Sequence, residues 1–152
     1  MSSFMAGLHP KTASKLEVMM AMLNGISFKY KIIEGYRTAK VQRAYWHQGR
    51  SDIATVNEYR KFAGLYLLTE AENKSAITNC DGDSTLSKHQ SGRAVDIVPI
   101  VDGKIPWSVE KHRASWEQLG EIGKQAGFEW GGDWGKTASK LGWDCPHFED
   151  KS

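Results

Sequence analysis

The stretch SKHQSGRAVDIV, residues 87–98, decides how this chain is built. Its second half is apolar and β-branched, and Ser91-Gly92 ahead of it is turn chemistry. That predicts a loop running into a strand. In a strand's period of two, Ala94 and Asp96 share a face while Val95 and Ile97 point to the core. A turn at Ser91-Gly92 folds His89 back toward Asp96. Asp96 then emerges among small neighbours, where something can sit against it. A second stretch, GWDCPHFED at residues 142–150, crowds Asp144, Cys145, His147, Glu149 and Asp150 around Pro146. By itself it reads equally as an acidic tail or as half of a site.

Around these stretches the chain sorts into an α+β pattern. Leu16, Met19, Met20 and Leu23 recur at i, i+3, i+4, i+7, the stripe of an amphipathic helix that starts near Pro10 and stops at Asn24-Gly25. In ISFKYKIIEGYR, Ile26, Phe28, Tyr30 and Ile32 alternate with polar residues, which predicts a half-buried strand from Ile26. TAKVQRAYWHQGR predicts a short helix capped by Thr38 and ended by Gly49. A second helical stretch covers residues 52–65. Residues 69–87 are polar and predict a long surface loop, a feature often tied to function. After the strand in GRAVDIVPIV comes a turn at Asp102-Gly103. Residues 109–127 predict a helix ending at Gly127, and aromatic-rich loops with a final strand close the chain. Helices and strands do not alternate as in a doubly wound sheet. The expected fold is a small single α+β domain, residues 1–152.

Bulk properties exclude more than they select. A chain of 152 residues fits one domain and needs no disulfide staples. Net charge is +2, with 20 basic against 18 acidic residues, which gives nucleic acid no support as a partner. Cys80 and Cys145 are far apart and form no zinc-finger spacing. The longest early apolar run, residues 18–23, falls far short of the ~20 residues that span a bilayer. MSSFMAGLHP lacks the basic and apolar regions of a secretory leader, so synthesis in a reducing cytoplasm is expected. Trp130 is read as core and Trp134 as groove wall.

Joined, the two stretches supply His89, Asp96 and His147, two imidazoles and a carboxylate. Three protein ligands with a fourth position left for water is the donor count of a catalytic zinc, and such a zinc lowers the pKa of its water toward ~7. Asp144, three residues before His147 across the turn stiffened by Pro146, stands where a general base is needed. Glu149 shares the strand face of His147 and is placed to orient it. Asp150 is read as solvent-facing charge.

SKHQSGRAVD fits the pattern S-x-H-x-x-G-x-A-x-D at every fixed position, and DCPHFE fits D-x-P-H-F-E. EGYRTAKVQ resembles a strand-to-helix segment with a fixed arginine, and FEWGGDW an aromatic turn. On these motifs the chain resembles the VanY-like zinc D-alanyl-D-alanine carboxypeptidases and L-alanyl-D-glutamate endopeptidases, and most of all the endopeptidase branch that includes bacteriophage endolysins. The resemblance implies the VanY/Hedgehog-like α+β fold, a central antiparallel sheet carrying the metal site with flanking helices, and one zinc ion on His89, Asp96 and His147. It implies Asp144 as general base, Arg37 as the cation that steadies the oxyanion, and Ser87 and Gln42 as positions facing substrate. The substrate would be the peptidoglycan stem peptide, cut between L-Ala and D-Glu; the alternatives are removal of terminal D-Ala, or a metal-bearing binding module without catalysis. A monomer without a separate wall-binding domain, made in a host cytoplasm and reaching the wall through a holin, completes the expectation. The motifs do not account for the insert at residues 73–84, nor for Cys145, where a thiolate could compete for zinc but where the extended backbone ahead of Pro146 is expected to point the side chain away.

Overall fold

The structure is a computed structural model describing residues 5–152. The reading of the first ten residues as lacking a leader rests in part on residues 1–4, which lie outside the described residues. The chain forms two compact units, one running through Tyr36 and resuming from Gly92 to Ser152, the other Arg37–Ser91.

The first unit holds helix α1 (Pro10–Gly25), strand β1 (Tyr30–Glu34), β2 (Ala94–Pro99), helix α4 (Arg113–Gln125), β3 (Glu129–Trp130) and β4 (His147–Glu149). The strands make one antiparallel sheet in the order β1-β2-β4-β3. This is the antiparallel sheet with flanking helices that the resemblance implies. Pro10 opens α1, and the His9 side chain accepts the Lys11 N–H as its cap. Leu16, Met19 and Leu23 are fully buried, while Met20 stays partly exposed. Strand β1 begins at Tyr30 rather than Ile26. The N–H groups of Ile26, Ser27 and Phe28 bond back to the Leu23 and Asn24 carbonyls, and Ser27 takes φ +55. Those three residues therefore finish the helix instead of joining a ladder.

One face of the sheet makes the core. Val95, Ile97, Trp130 and Phe148 lie there with Ile32, packed with α1 and with Trp116, Leu119 and Ile122 of α4. A Cβ at Gly120 would stand 2.4 Å from the Trp130 ring, and one at Gly123 2.2 Å from the Phe148 ring. Bare backbone at these positions lets α4 lie directly on the two aromatics. Val101 and Lys104 close a bridge around Asp102-Gly103, both at positive φ, as the turn chemistry predicts.

Asp150 corrects its reading as solvent-facing charge. Its carboxylate is fully buried and accepts from Lys15 Nζ at 2.5 Å, Arg93 at 3.1 Å and Thr12 at 3.4 Å. Its backbone N–H donates to the Arg93 carbonyl. The C-terminal acid thus ties α1 to the approach of β2.

The second unit holds helix α2 (Ala39–His47), α3 (Ile53–Phe62) and the long loop after them. Thr38 and Asp52 cap the helices through bonds from Val41 and Thr55 N–H. His47 stacks on Tyr59 with centroids 4.0 Å apart. The polar loop is pinned rather than loose. Gln42 donates to Thr78 and the Cys80 carbonyl, Arg50 to the Thr78 carbonyl, and Asn57 exchanges two bonds with Leu68. Arg43 pairs with Asp83 at 3.1 Å. The insert at residues 73–84 is held through these polar side chains.

Candidate active site

Asp96 lies directly opposite His147 in the β2–β4 ladder, and Ala94 lies opposite Glu149. Opposed residues of an antiparallel pair project to the same side. The face away from the core therefore carries Asp96, His147 and Glu149 together, as the alternation in AVDIV predicts. His147 Nε2 and Glu149 Oε1 are 2.9 Å apart. With Nε2–H donated to Glu149, Nδ1 is turned toward Asp96 Oδ1 at 3.4 Å and Asp144 Oδ2 at 3.9 Å. Burial disfavours a charged imidazole, but hydrogen bonds to Asp96 and Glu149 and the Asp96 and Asp144 charges outweigh it. The His147 pKa is pushed up to about 9. Three carboxylates around one ring make a place that calls for a cation.

His89 is buried in a turn of its own. Ser87 Oγ accepts the His89 N–H at 3.2 Å, Gln90 Oε1 accepts the Ser87 N–H, and the His89 carbonyl accepts the Arg37 N–H. Gly92 follows at φ +70, and a Cβ there would stand 2.4 Å from the Gly7 carbonyl oxygen. Only glycine fits both demands. One ligand atom from each of His89, Asp96 and His147 lies within 4.8 Å of the other two. Two donors about 2.1 Å from an ion at a tetrahedral angle stand roughly 3.4 Å apart, the observed separation of His147 Nδ1 and Asp96 Oδ1. Two imidazoles and a carboxylate at this spacing fit a divalent metal.

Asp144 is placed by the aromatic turn. A Cβ on Gly131 would stand 2.1 Å from the Asp144 carbonyl oxygen, and the Asp144 N–H bonds the Gly131 carbonyl. The His147 N–H donates to the Asp144 carbonyl at 3.1 Å, closing the turn around Pro146. The Asp144 side chain is 36% exposed. Cys145 points away from this face. It is buried in the core cluster, its thiol donates to the Gly142 carbonyl, and Trp130 Nε1–H bonds its carbonyl. Burial, with the Asp144 and Glu110 charges nearby, pushes the thiol up to about 11. A protonated thiol is no competitor for a metal.

In the second unit, Arg37 Nη1 donates to Gln42 Oε1 at 2.6 Å, and its guanidinium lies 4.8 Å over the Tyr45 ring. Gln42 is fully buried and spends its amide on Arg37, Thr78 and Cys80. Its visible work is to hold Arg37 and the loop. Two features escaped the sequence reading. One is the buried Asp150 cluster. The other is an aromatic pair, Trp134 and Trp143, with Trp134 5.1 Å from the His147 ring. The signal for the pair was Trp143 standing immediately before Asp144.

Similarity to known proteins bears on what this donor set serves. Residues 81–150, which contain both metal motifs, match the family model Peptidase_M15_4, described as D-alanyl-D-alanine carboxypeptidase. The chain is 27% identical, over 93% of its length and 72% of the relative's, to the peptidoglycan L-alanyl-D-glutamate endopeptidase CwlK of Bacillus subtilis. Among solved structures it shares its fold with the Serratia marcescens L-Ala D-Glu endopeptidase ChiX (TM-score 0.54, 22% identity, 97% of this chain and 84% of that one). It shares it also with the vancomycin-resistance D,D-pentapeptidase VanY solved with Zn(II) (TM-score 0.57, 19% identity, 95% and 73%). These similarities indicate a metallopeptidase. A binding module without catalysis is thereby set aside.

Proposed function

We propose that residues 1–152 work as one zinc-dependent peptidoglycan hydrolase that cleaves the stem peptide between L-Ala and D-Glu. The observation that carries this reading is the gathering of His89, Asp96 and His147, with the Asp144 carboxylate 3.9 Å from His147 Nδ1. His89, Asp96 and His147 would hold the ion, with Glu149 fixing the His147 tautomer. A bound zinc would supply Lewis acidity, polarising the scissile carbonyl and acidifying a water at neutral pH. Asp144 takes the proton of the attacking water and returns it to the departing amine. Arg37, steadied by Gln42 and Tyr45, provides a fixed cation for the charge developing on the carbonyl oxygen. Ser87, through the His89 N–H, sets the ligand turn and stands beside the substrate.

The endopeptidase reading is supported by the CwlK similarity. The description of the matching family favours the second reading, removal of terminal D-Ala. Digestion of purified peptidoglycan followed by mass spectrometry separates them. Peptides beginning with D-Glu support the first, and free D-Ala alone would replace it with the second. A chelator should stop either reaction, and zinc should restore it. No helix among the described residues is long and apolar enough to cross a membrane. A lytic enzyme of endolysin type, monomeric, made in a host cytoplasm and admitted to the wall by a holin, is the setting we propose for this activity.

A further inference from the structure

Trp143 is 72% exposed, more than Trp107 at 59%, while Trp116 and Trp130 of its unit are buried in the core. A tryptophan left in water beside a reaction centre is unspent binding surface. Its place is built. Its backbone N–H donates to the Trp134 carbonyl at 3.0 Å, and its ring lies 5.1 Å from the Trp134 ring. Trp134 is fixed in turn: its indole N–H donates to Glu129 Oε1 at 2.8 Å, and Lys151 holds Glu129 Oε2 at 2.8 Å. Trp134 also lies against His147, so the aromatic surface is continuous with the candidate site.

We propose that Trp143 is a specificity residue that stacks on the saccharide ring to which the stem peptide is attached. This inference rests on the reading of the site as an L-Ala–D-Glu peptidase. On either side of that bond the substrate offers a methyl group and a carboxylate, neither with a broad face for an indole. The sugar, whose ether-linked lactyl group is amide-bonded to L-Ala, does offer one, the lactyl unit and one alanine away from the scissile carbonyl. Two extended units of this kind span about 7 Å, and Trp143 is the immediate neighbour of the proposed base. A terminal D-Ala–D-Ala bond lies several residues from any sugar, so an aromatic platform here favours the endopeptidase cut.

The test measures the affinity of N-acetylmuramyl-L-Ala-D-isoglutamine and of the same dipeptide without sugar, by calorimetry, in an Asp144→Asn background that prevents turnover. The expected result is that the sugar tightens binding about tenfold. Trp143→Ala should abolish that gain without weakening the free dipeptide, and Trp143→Phe should restore part of it. A sugar-dependent gain unchanged in Trp143→Ala, or no gain at all, overturns the inference. Equal losses on both ligands also overturn it, by showing that the indole touches the peptide or only the fold. Hydrolysis of both compounds by the protein with Asp144 intact is scored separately. A sugar effect without cleavage would sink the peptidase reading and leave the sugar contact standing, and cleavage without a sugar effect would do the reverse.

Discussion

At the scale of single residues, the site divides into groups that hold and a group that moves a proton. Asp144→Ala is expected to keep one zinc per chain while slowing hydrolysis by roughly 10²–10⁴-fold, the usual worth of a general base. Metal content and peptide release measured on the same sample check it, and lysis of walls at the normal rate would remove Asp144 from the mechanism. His89→Ala should lose both metal and activity, and full zinc occupancy in that variant would break the ligand set. Cys145 gives a separate prediction. Its buried thiol, with a pKa near 11, should resist a thiol reagent at pH 7–8, so the native protein reacts at no more than Cys80. Reaction of both thiols without denaturant would contradict the buried placement.

The aromatic turn, at the scale of elements, connects stability to chemistry. Gly131 is where the turn after β3 touches the backbone carrying the base. Gly131→Ala places a Cβ 2.1 Å from the Asp144 carbonyl, and backbone cannot yield as a flexible side chain does. Overpacking of this kind costs about 1–3 kcal/mol. The displaced base should also lower kcat more than it alters zinc content. Chemical denaturation and steady-state kinetics on the variant test both halves. An unchanged midpoint with normal kcat would mean the turn absorbs the methyl group elsewhere. The same logic explains β1. Its alternating pattern extends back to Ile26, but the capping bonds of α1 claim residues 26–28 first, and periodicity cannot see that competition.

For the molecule as a whole, the Asp150 cluster is the long-range tie, joining residues 12 and 150 through a carboxylate with no exposure. Burial alone would raise the Asp150 pKa, but the Lys15 ammonium and the Ser152 bonds hold it well below the usual carboxylate range. A carboxyl whose pKa is depressed on folding contributes stability that is complete above its unfolded value. That stability drains away as pH falls through about 3.8 toward the lower folded value. Asp150→Asn should cost about 1–3 kcal/mol at neutral pH, a value reduced from that of a fully buried pair because Lys15 and Arg93 remain partly solvated. The gap between wild type and variant should close below pH 4 in urea titrations. A pH-independent gap would assign the loss to packing instead. By itself the sequence determined the α+β class, the face of β2 that carries Asp96, and the metal and base candidates, because these follow from strand period, turn chemistry and donor type, which act over a few residues. It did not determine that Asp150 is buried, that Gln42 spends its amide on Arg37 and the loop, or that Trp143 extends from the site. Those depend on which distant groups share a surface, and only the packed sheet and helices bring such groups together.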